Sequence, residues 1–430
     1  MIFTIKYPWL AIVCVMLITE NSLAQLDTGD YQYALSYTDF MQTVSHSNLE
    51  YTAERFNLNL AEAAIELAAV FPDPQLQVSA TDNGQRRMKM GYGFSTSLEW
   101  TVELGGKRRA RQELAYSHSE MTKSLLQQYY QNLRADATLA YLEGVKNKQL
   151  LQVQYDSFNN MKGIADADSV RYALGEISRV DALQSQLEAR SMRNEVYQTE
   201  HEWKNSLIRL GLFMGKQLHD TLSIQTLKIP ILERSFHYEG LLNEALHNRA
   251  DLIAALRNKT VSEQMLKLAK ANRRIDLGIN LGVGSTSQVS NVVAPTPSVN
   301  AVTLGLSVPL KFSNRYKGDL KQAQWELQQT EVLYRHTELQ IATEVSQVWN
   351  TYTSARKTLM QFENGILEDS GKILQGRMYS YKRGETTLLE LLEAQRSYNA
   401  VQINYQEALF QYAVSLIEVE RAAGIWDINF

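Results

Sequence analysis

The chain repeats itself, and that restricts its folds more than any other feature. The tract Tyr172-Ala173-Leu174-Gly175-Glu176 returns as Tyr381-Lys382-Arg383-Gly384-Glu385, 209 positions later. At the same offset Asp181 matches Glu390, Leu183 matches Leu392, Gln186 matches Gln395 and Gly215 matches Gly424, with no gap. A second tract, Leu98–Lys107, returns as Leu306–Arg315 at an offset of 208. The 430 residues therefore read as one unit of about two hundred, used twice.

Each copy holds two stretches in which apolar and polar residues alternate. In the first, Tyr92, Phe94, Leu98, Trp100, Val102 and Leu104 alternate with Gly93, Ser95, Ser97, Glu99, Thr101 and Glu103. In the second, Val302, Leu304, Leu306, Val308, Leu310 and Phe312 alternate with Thr303, Gly305, Ser307, Pro309 and Lys311. Shorter partners precede them, at Leu76, Val78 and Ala80 and at Ile275, Leu277, Ile279, Leu281 and Val283. A period of two marks a strand with one apolar and one polar face. The predicted strands are 75–82, 92–104, 275–284 and 301–312. The longer ones reach the length a tilted strand needs to cross a bilayer. A soluble sandwich shows the same alternation. On the membrane reading Glu99, Glu103 and Lys311 face the lumen of a barrel. The stretches Thr81–Gly91 and Ser285–Asn300 then form its outer loops.

The rest reads as helix. No proline interrupts Lys107 to Ala165 or Lys317 to Gln375. A continuous helix over either run is about 90 Å long. Ile341, Val345, Val348, Tyr352, Ala355, Leu359, Phe362 and Ile366 step by four and three. So do Tyr398, Val401, Tyr405, Leu409, Tyr412, Leu416 and Val419. Such spacing is a coiled-coil seam. Each copy thus reads helix, strand, strand, long helix, Tyr-x-x-Gly-Glu turn, long helix, with glycine supplying the turn's backbone angle. The predicted fold is mixed α and β, mainly α, with a long coiled-coil barrel and four strands per chain.

Four strands cannot close a barrel. An open sheet in lipid leaves edge N–H and C=O groups unpaired, at several kcal/mol each, and the smallest membrane barrels have about eight strands. Several chains must pool their strands, and two, three or four would close in principle.

Residues 1–24 read as an export signal, with Lys6, an apolar run from Pro8 to Ile18 and cleavage after Ala24. The first repeat is then 25–212, an inter-repeat equatorial segment 213–240, and the second repeat 241–430. The only cysteine, Cys14, lies within the signal and lacks the setting of a lipoprotein cysteine. The mature chain then has no disulfide or thiolate metal site. No other stretch approaches the ~18 consecutive apolar residues of a spanning helix. A formal charge of -4 gives no reason to expect nucleic acid. The seven histidines form no ligand pair. Gly282-Val283-Gly284 lacks the Lys-Ser/Thr of a phosphate loop. No catalytic constellation, metal site or cofactor is expected.

The duplicated plan, both Tyr-x-x-Gly turns and Asn248-Arg249-Ala250-Asp251-Leu252 resemble the TolC family of outer-membrane efflux proteins over essentially the whole mature chain. The last motif has Ala where the family has Pro. Phe71-Pro72-Asp73-Pro74 and Leu104-Gly105-Gly106-Lys107-Arg108 are most similar to the CzcC-like branch, associated with cobalt, zinc and cadmium efflux. The resemblance implies a homotrimer in outer-membrane lipid, with a twelve-stranded barrel and a periplasmic helical tunnel. It also implies docking to a periplasmic adaptor and an inner-membrane RND-type pump. By motif position it places gate carboxylates at Asp181, Glu390 and Glu393, and adaptor-docking turns at Tyr172, Gly175, Tyr381 and Gly384. Thr386 stands where TolC carries a gate arginine, with Arg179 and Arg383 as candidates to replace it. A duct for type I protein secretion would share this plan. A periplasmic coiled-coil adaptor would need one hairpin and a lipoyl-like module, and a periplasmic enzyme would need a site that the sequence lacks.

Overall fold

Long proline-free tracts fold as long helices, and glycines and extended cap residues decide where those helices stop. The computed structural model describes residues 34–82, 89–217, 223–225, 236–311 and 315–427. The expected export signal with Cys14, and much of the expected inter-repeat segment, lie outside the described residues.

The first repeat begins with a short strand β1 (Ala34–Leu35), then α1 (Tyr37–Ser47) and α2 (Leu49–Ala69). Strands β2 (Gln75–Asp82) and β3 (Tyr92–Val102) follow, then α3 (Lys107–Ala173) and α4 (Arg179–Phe213). Strand β4 (Ser223–Ile224) pairs in parallel with β1. The second repeat gives α5 (Tyr238–Asn248), α6 (Ala250–Asn272), β5 (Leu277–Thr286), β6 (Val299–Ser307), α7 (Lys317–Gln361), α8 (Leu367–Lys382) and α9 (Leu388–Ala423).

The duplication extends to the caps. Asn48, with ψ 122°, divides α1 from α2, and its amide donates to the Phe213 carbonyl at 3.0 Å. Arg249, with ψ 124°, divides α5 from α6 in the same way. Gly215 and Gly424, the matched pair of the repeat, end α4 and α9 at φ +64° and +68°. A Cβ on Gly215 would collide with the Ser47 carbonyl, and one on Gly424 would lie 3.1 Å from the Asn248 carbonyl carbon. In each copy, therefore, the end of the last helix rests against the break in the first. Arg249 reinforces the second break with bonds of 2.6 Å to both Asp251 and Glu344 of α7.

The four long strands form one antiparallel sheet in the order β2-β3-β5-β6. Its register aligns Leu76, Leu98, Leu281 and Leu304 in one row. Val78, Thr96, Val283 and Val302 form the next row, and Trp100, Ile279 and Leu306 another. Paired residues share a face, so these rows make one apolar surface. The opposite face carries Gln75, Glu99, Asn280 and Gly305, then Gln77, Ser97, Gly282 and Thr303. Strand limits differ from expectation at both ends: β5 and β6 each extend two residues into the expected loop, to Thr286 and from Val299, and β3, β5 and β6 stop short at the helical end. Left-handed Gly105 and Gly106 turn the chain into α3 after Val102, and β6 stops at Ser307, just before Pro309, which has no N–H to give the ladder.

Helix α3 runs unbroken for 67 residues, about 100 Å. Its counterpart does not. A π turn at Phe362–Ile366 separates α7 from α8, with Gly365 at φ 120°. The missing proline did not guarantee continuity, because Asn364-Gly365 relaxes the helix at this point. Positions Tyr155 and Asp156, equivalent at the offset of 209, stay helical in α3.

The core is a string of clusters rather than one centre. Ile341, Val345, Tyr352 and Leu359 of α7 meet Tyr412, Leu416 and Val419 of α9 along the expected seam. Ile366 leaves that seam at the π turn and is partly exposed. Phe40, Val44, Tyr141, Leu207, Leu210 and Ile224 form the corresponding cluster in the first repeat. Next to the sheet, α2 packs on α3, α3 on α6 and α6 on α7. The helical order α2-α3-α6-α7 therefore matches the sheet order β2-β3-β5-β6.

Candidate functional site

That shared order leaves the same two flanks open in both layers. Among the described residues, β2 and β6 each pair on one side only. The apolar sheet face is bare, with Val302 86% and Leu304 70% exposed. On the flanking helices Phe56, Leu60 and Leu67 of α2 are exposed, as are Trp325, Val332 and Leu339 of α7, which recur every seven residues. Apolar surface of this extent marks contact with lipid or another chain.

At the other end of the helices lie the two repeated turns. Gly175 and Gly384 adopt φ +79° and +75°, as the turns require. Each following helix is capped alike. The Ser178 hydroxyl accepts from the Asp181 amide at 3.1 Å and donates to its carboxylate at 2.7 Å. Thr387 relates to Glu390 in the same way, at 3.4 and 3.5 Å. Asp181 and Glu390 thus sit at the N-terminal turn of α4 and α9, where the helix favours negative charge. Glu390 is further held by Arg377 at 2.5 Å. Glu393 is exposed on the same helix and, among the described residues, has no basic side chain within ion-pair distance. The sequence reading missed Ser178 and Thr387. Their signal was a Ser or Thr three residues before the acid in both copies.

The two turn tyrosines differ. Tyr172 is 45% exposed, whereas Tyr381 is 7% exposed and donates from its hydroxyl to Asp168 at 2.7 Å. Asp168 is fully buried, and the Arg171 guanidinium lies 3.7 Å from it and over the Tyr381 ring. Burial, then the hydrogen bond to a carboxylate, push the Tyr381 phenol well above its ordinary range. This contact joins the two hairpins. Nearby, Asn399 of α9 accepts from Ser157 of α3 at 2.7 Å, and Arg396 reaches Glu188 at 2.8 Å. Arg383 is taken up by Glu385 at 3.0 Å and Tyr379 at 2.6 Å, within its own hairpin. The Thr386 hydroxyl is buried and has no hydrogen-bond partner among the described residues.

Where sheet meets helices, Glu103 and Lys311 lie beyond the strand ends, not on the strands as expected. Arg111 clasps Glu103 with two bonds of 2.5 and 2.8 Å. Lys311 donates to the Asn272 and Arg274 carbonyls at 2.6 and 2.9 Å. Lys107 meets Asp276 at 2.5 Å. Glu103 and Lys311, two of the three expected lumen groups, are therefore joints between strand and helix. Glu99 does lie on the polar face, beside Gln75 and Asn280. Among the described residues no cluster of His, Cys, Asp or Glu is arranged to hold a metal ion, and no helix is long and apolar enough to cross a membrane.

Comparison with known proteins fits this geometry. The family model described as outer membrane efflux protein matches residues 41–216 and 241–425. The cobalt-zinc-cadmium resistance protein CzcC of Cupriavidus metallidurans is 21% identical over 96% of this chain and 98% of its own length. The outer membrane protein TolC of Vibrio cholerae is 20% identical over 83% of this chain and 84% of its own. Among solved structures, CusC superposes with a TM-score of 0.72 at 17% identity, covering 90% of this chain and 92% of that one.

Proposed function

The chain belongs to the outer membrane efflux protein family, and from that premise we propose that three copies form the exit duct of a tripartite pump. The observation that carries the reading is the four-stranded sheet, open at both edges and apolar on one face. An unpaired edge in lipid costs several kcal/mol per backbone group, so β6 of one copy must meet β2 of the next. The same step brings the exposed stripe of α7 onto that of α2. Such a contact is heterologous and closes only as a ring. Three copies give twelve strands, with the polar face as the lumen. The helices extend into the periplasm, and the hairpin tips form the periplasmic mouth.

At that mouth the tips receive a periplasmic adaptor, which couples the duct to an inner-membrane RND-type pump. Of the three candidate gate carboxylates, Glu393 is the one free to meet cargo, since Asp181 and Glu390 serve their helix caps. The cargo is divalent heavy-metal cations, a reading supported by the end-to-end likeness to CzcC. Deletion of the chain in its own cell should raise sensitivity to cobalt, zinc and cadmium. The intact chain should restore resistance, and a Leu281→Arg chain, with a cation near the middle of the apolar sheet face, should not. Unchanged metal tolerance with increased sensitivity to organic drugs would reject the metal assignment and leave the duct reading standing.

A further inference from the structure

Charge is distributed unevenly along this chain, and the excess gathers where the sheet joins the helices. The joints at 103–111, 267–276 and 311–321 contain twelve Lys and Arg but only Glu103, Asp276 and Asp319 as acids. The fourth joint, 70–74, adds only Asp73. The whole chain has a formal charge of -4, so this is a local reversal of sign. Some of these cations are paired, as Lys107 is with Asp276 and Arg111 with Glu103. Lys270, Arg273, Arg274, Arg315, Lys317 and Lys321 are exposed, with no carboxylate within 4.0 Å among the described residues. The joints also touch one another, since Arg273 donates to the Arg315 carbonyl at 3.2 Å and Lys311 to that of Arg274. The Lys107–Asp276 pair ties in the joint at 103–111, so the three basic joints adjoin one another as a band.

The band directly adjoins the last apolar row of the sheet, Val102 and Leu277, with Trp100, Ile279 and Leu306 one row further on. Two aromatic rings within it carry cations on their faces. The Arg108 guanidinium lies 3.8 Å from the centre of the Phe71 ring, and the Lys311 ammonium 4.4 Å from that of Tyr316. Apolar rows ending in aromatic rings, followed by cations, are the layering of a bilayer from acyl chain to phosphate.

We propose that this band is a binding surface for anionic phospholipid headgroups of the periplasmic leaflet, held chiefly by Lys270, Arg274 and Lys317. The proposal rests on the reading that the sheet spans the outer membrane with its helices on the periplasmic side. Continuity with the apolar face selects a lipid phosphate over a soluble anion, because only a lipid can occupy both surfaces at once. A basic cluster at a membrane surface enriches anionic lipid in proportion to its charge, and salt weakens the effect.

The test uses the assembled channel in phosphatidylcholine bilayers with acyl-brominated phosphatidylglycerol or acyl-brominated phosphatidylcholine at equal mole fraction. The signal is the tryptophan quenching that disappears in Trp100→Phe. Brominated phosphatidylglycerol should quench about threefold more than its zwitterionic counterpart. With Lys270→Gln, Arg274→Gln and Lys317→Gln combined, the ratio should fall to about one. The charge-preserving set Lys270→Arg, Arg274→Lys and Lys317→Arg should keep it, which separates charge from folding. Equal quenching by both lipids in the unaltered channel would overturn the proposal while leaving the membrane reading intact. A preference that survives in the glutamine variant would also overturn it. So would a preference abolished by inorganic phosphate at constant ionic strength, which would assign the band to a soluble anion. Absence of quenching by either lipid would overturn the membrane reading and the proposal together.

Discussion

The Tyr381 hydroxyl donates to the Asp168 carboxylate at 2.7 Å, and the two residues belong to different repeats. The bond is buried, so it ties one hairpin tip to the other. Its loss leaves a buried carboxylate oxygen with Arg171 at 3.7 Å but no hydrogen bond, which costs about 1–3 kcal/mol. Tyr381→Phe should therefore loosen the hairpin ends, seen as faster amide hydrogen exchange near Asp168 and Leu391. Tyr172→Phe, at the matching but exposed position, should change exchange little.

The same tyrosine predicts an alkaline limit. Its phenol is raised in the folded state by burial and by Asp168. A raised acid contributes stability that is complete below the unfolded tyrosine value, about 10. That contribution is lost as pH rises toward the folded value. Unfolding midpoints should fall above pH of about 10 and remain flat below it as far as this group is concerned. Tyr381→Phe should remove this component of the decline.

Gly215 and Gly384 separate two reasons for glycine. Both have positive φ, but a Cβ at Gly384 meets open space, whereas one at Gly215 strikes the Ser47 carbonyl. Gly384→Ala should cost about 1–2 kcal/mol of left-handed strain. Gly215→Ala should cost that plus the displacement of the α1–α2 break, and thermal denaturation should rank it as clearly the worse.

The sheet faces predict opposite tolerances. Trp100 lies in an apolar row and Glu99 in a polar one. Leu281→Arg, nearer the middle of the same apolar face, should reduce assembly, since a cation facing lipid costs about 2–4 kcal/mol near the midplane. Glu99→Gln should assemble normally. Equal yields of both variants in detergent extracts would reject the assignment of faces.

At the hairpin tips, multivalent cations added from the periplasmic side should block the conducting channel through Glu393. Glu393→Gln should weaken that block. Glu390→Gln should leave most of it in place, because Glu390 is already occupied by Thr387 and Arg377. Single-channel recording in a planar bilayer measures both.

Much of this architecture was legible because it repeats. Alternation at 92–104 and seam spacing at Ile341, Val345 and Tyr352 each follow from one period, and the duplication checks every reading twice. What escaped was local. The absence of proline suggested a continuous second helix, but Asn364-Gly365 relaxes the ladder without one. Alternation continued through Glu103 and Lys311, yet Gly105-Gly106 and Pro309 end the ladder earlier and turn both side chains into clamps. Matching by motif also made Tyr172 and Tyr381 equivalent. Only the packing of α3 against the α8–α9 hairpin buries one and leaves the other exposed.

Closure of the sheet by several chains is the central claim, and mass in detergent tests it most directly. Light scattering or native mass spectrometry corrected for detergent should give three chains per particle, and that particle should conduct ions in a planar bilayer. A monodisperse single chain that still conducts would contradict the account, because four strands with two open edges cannot enclose a pore.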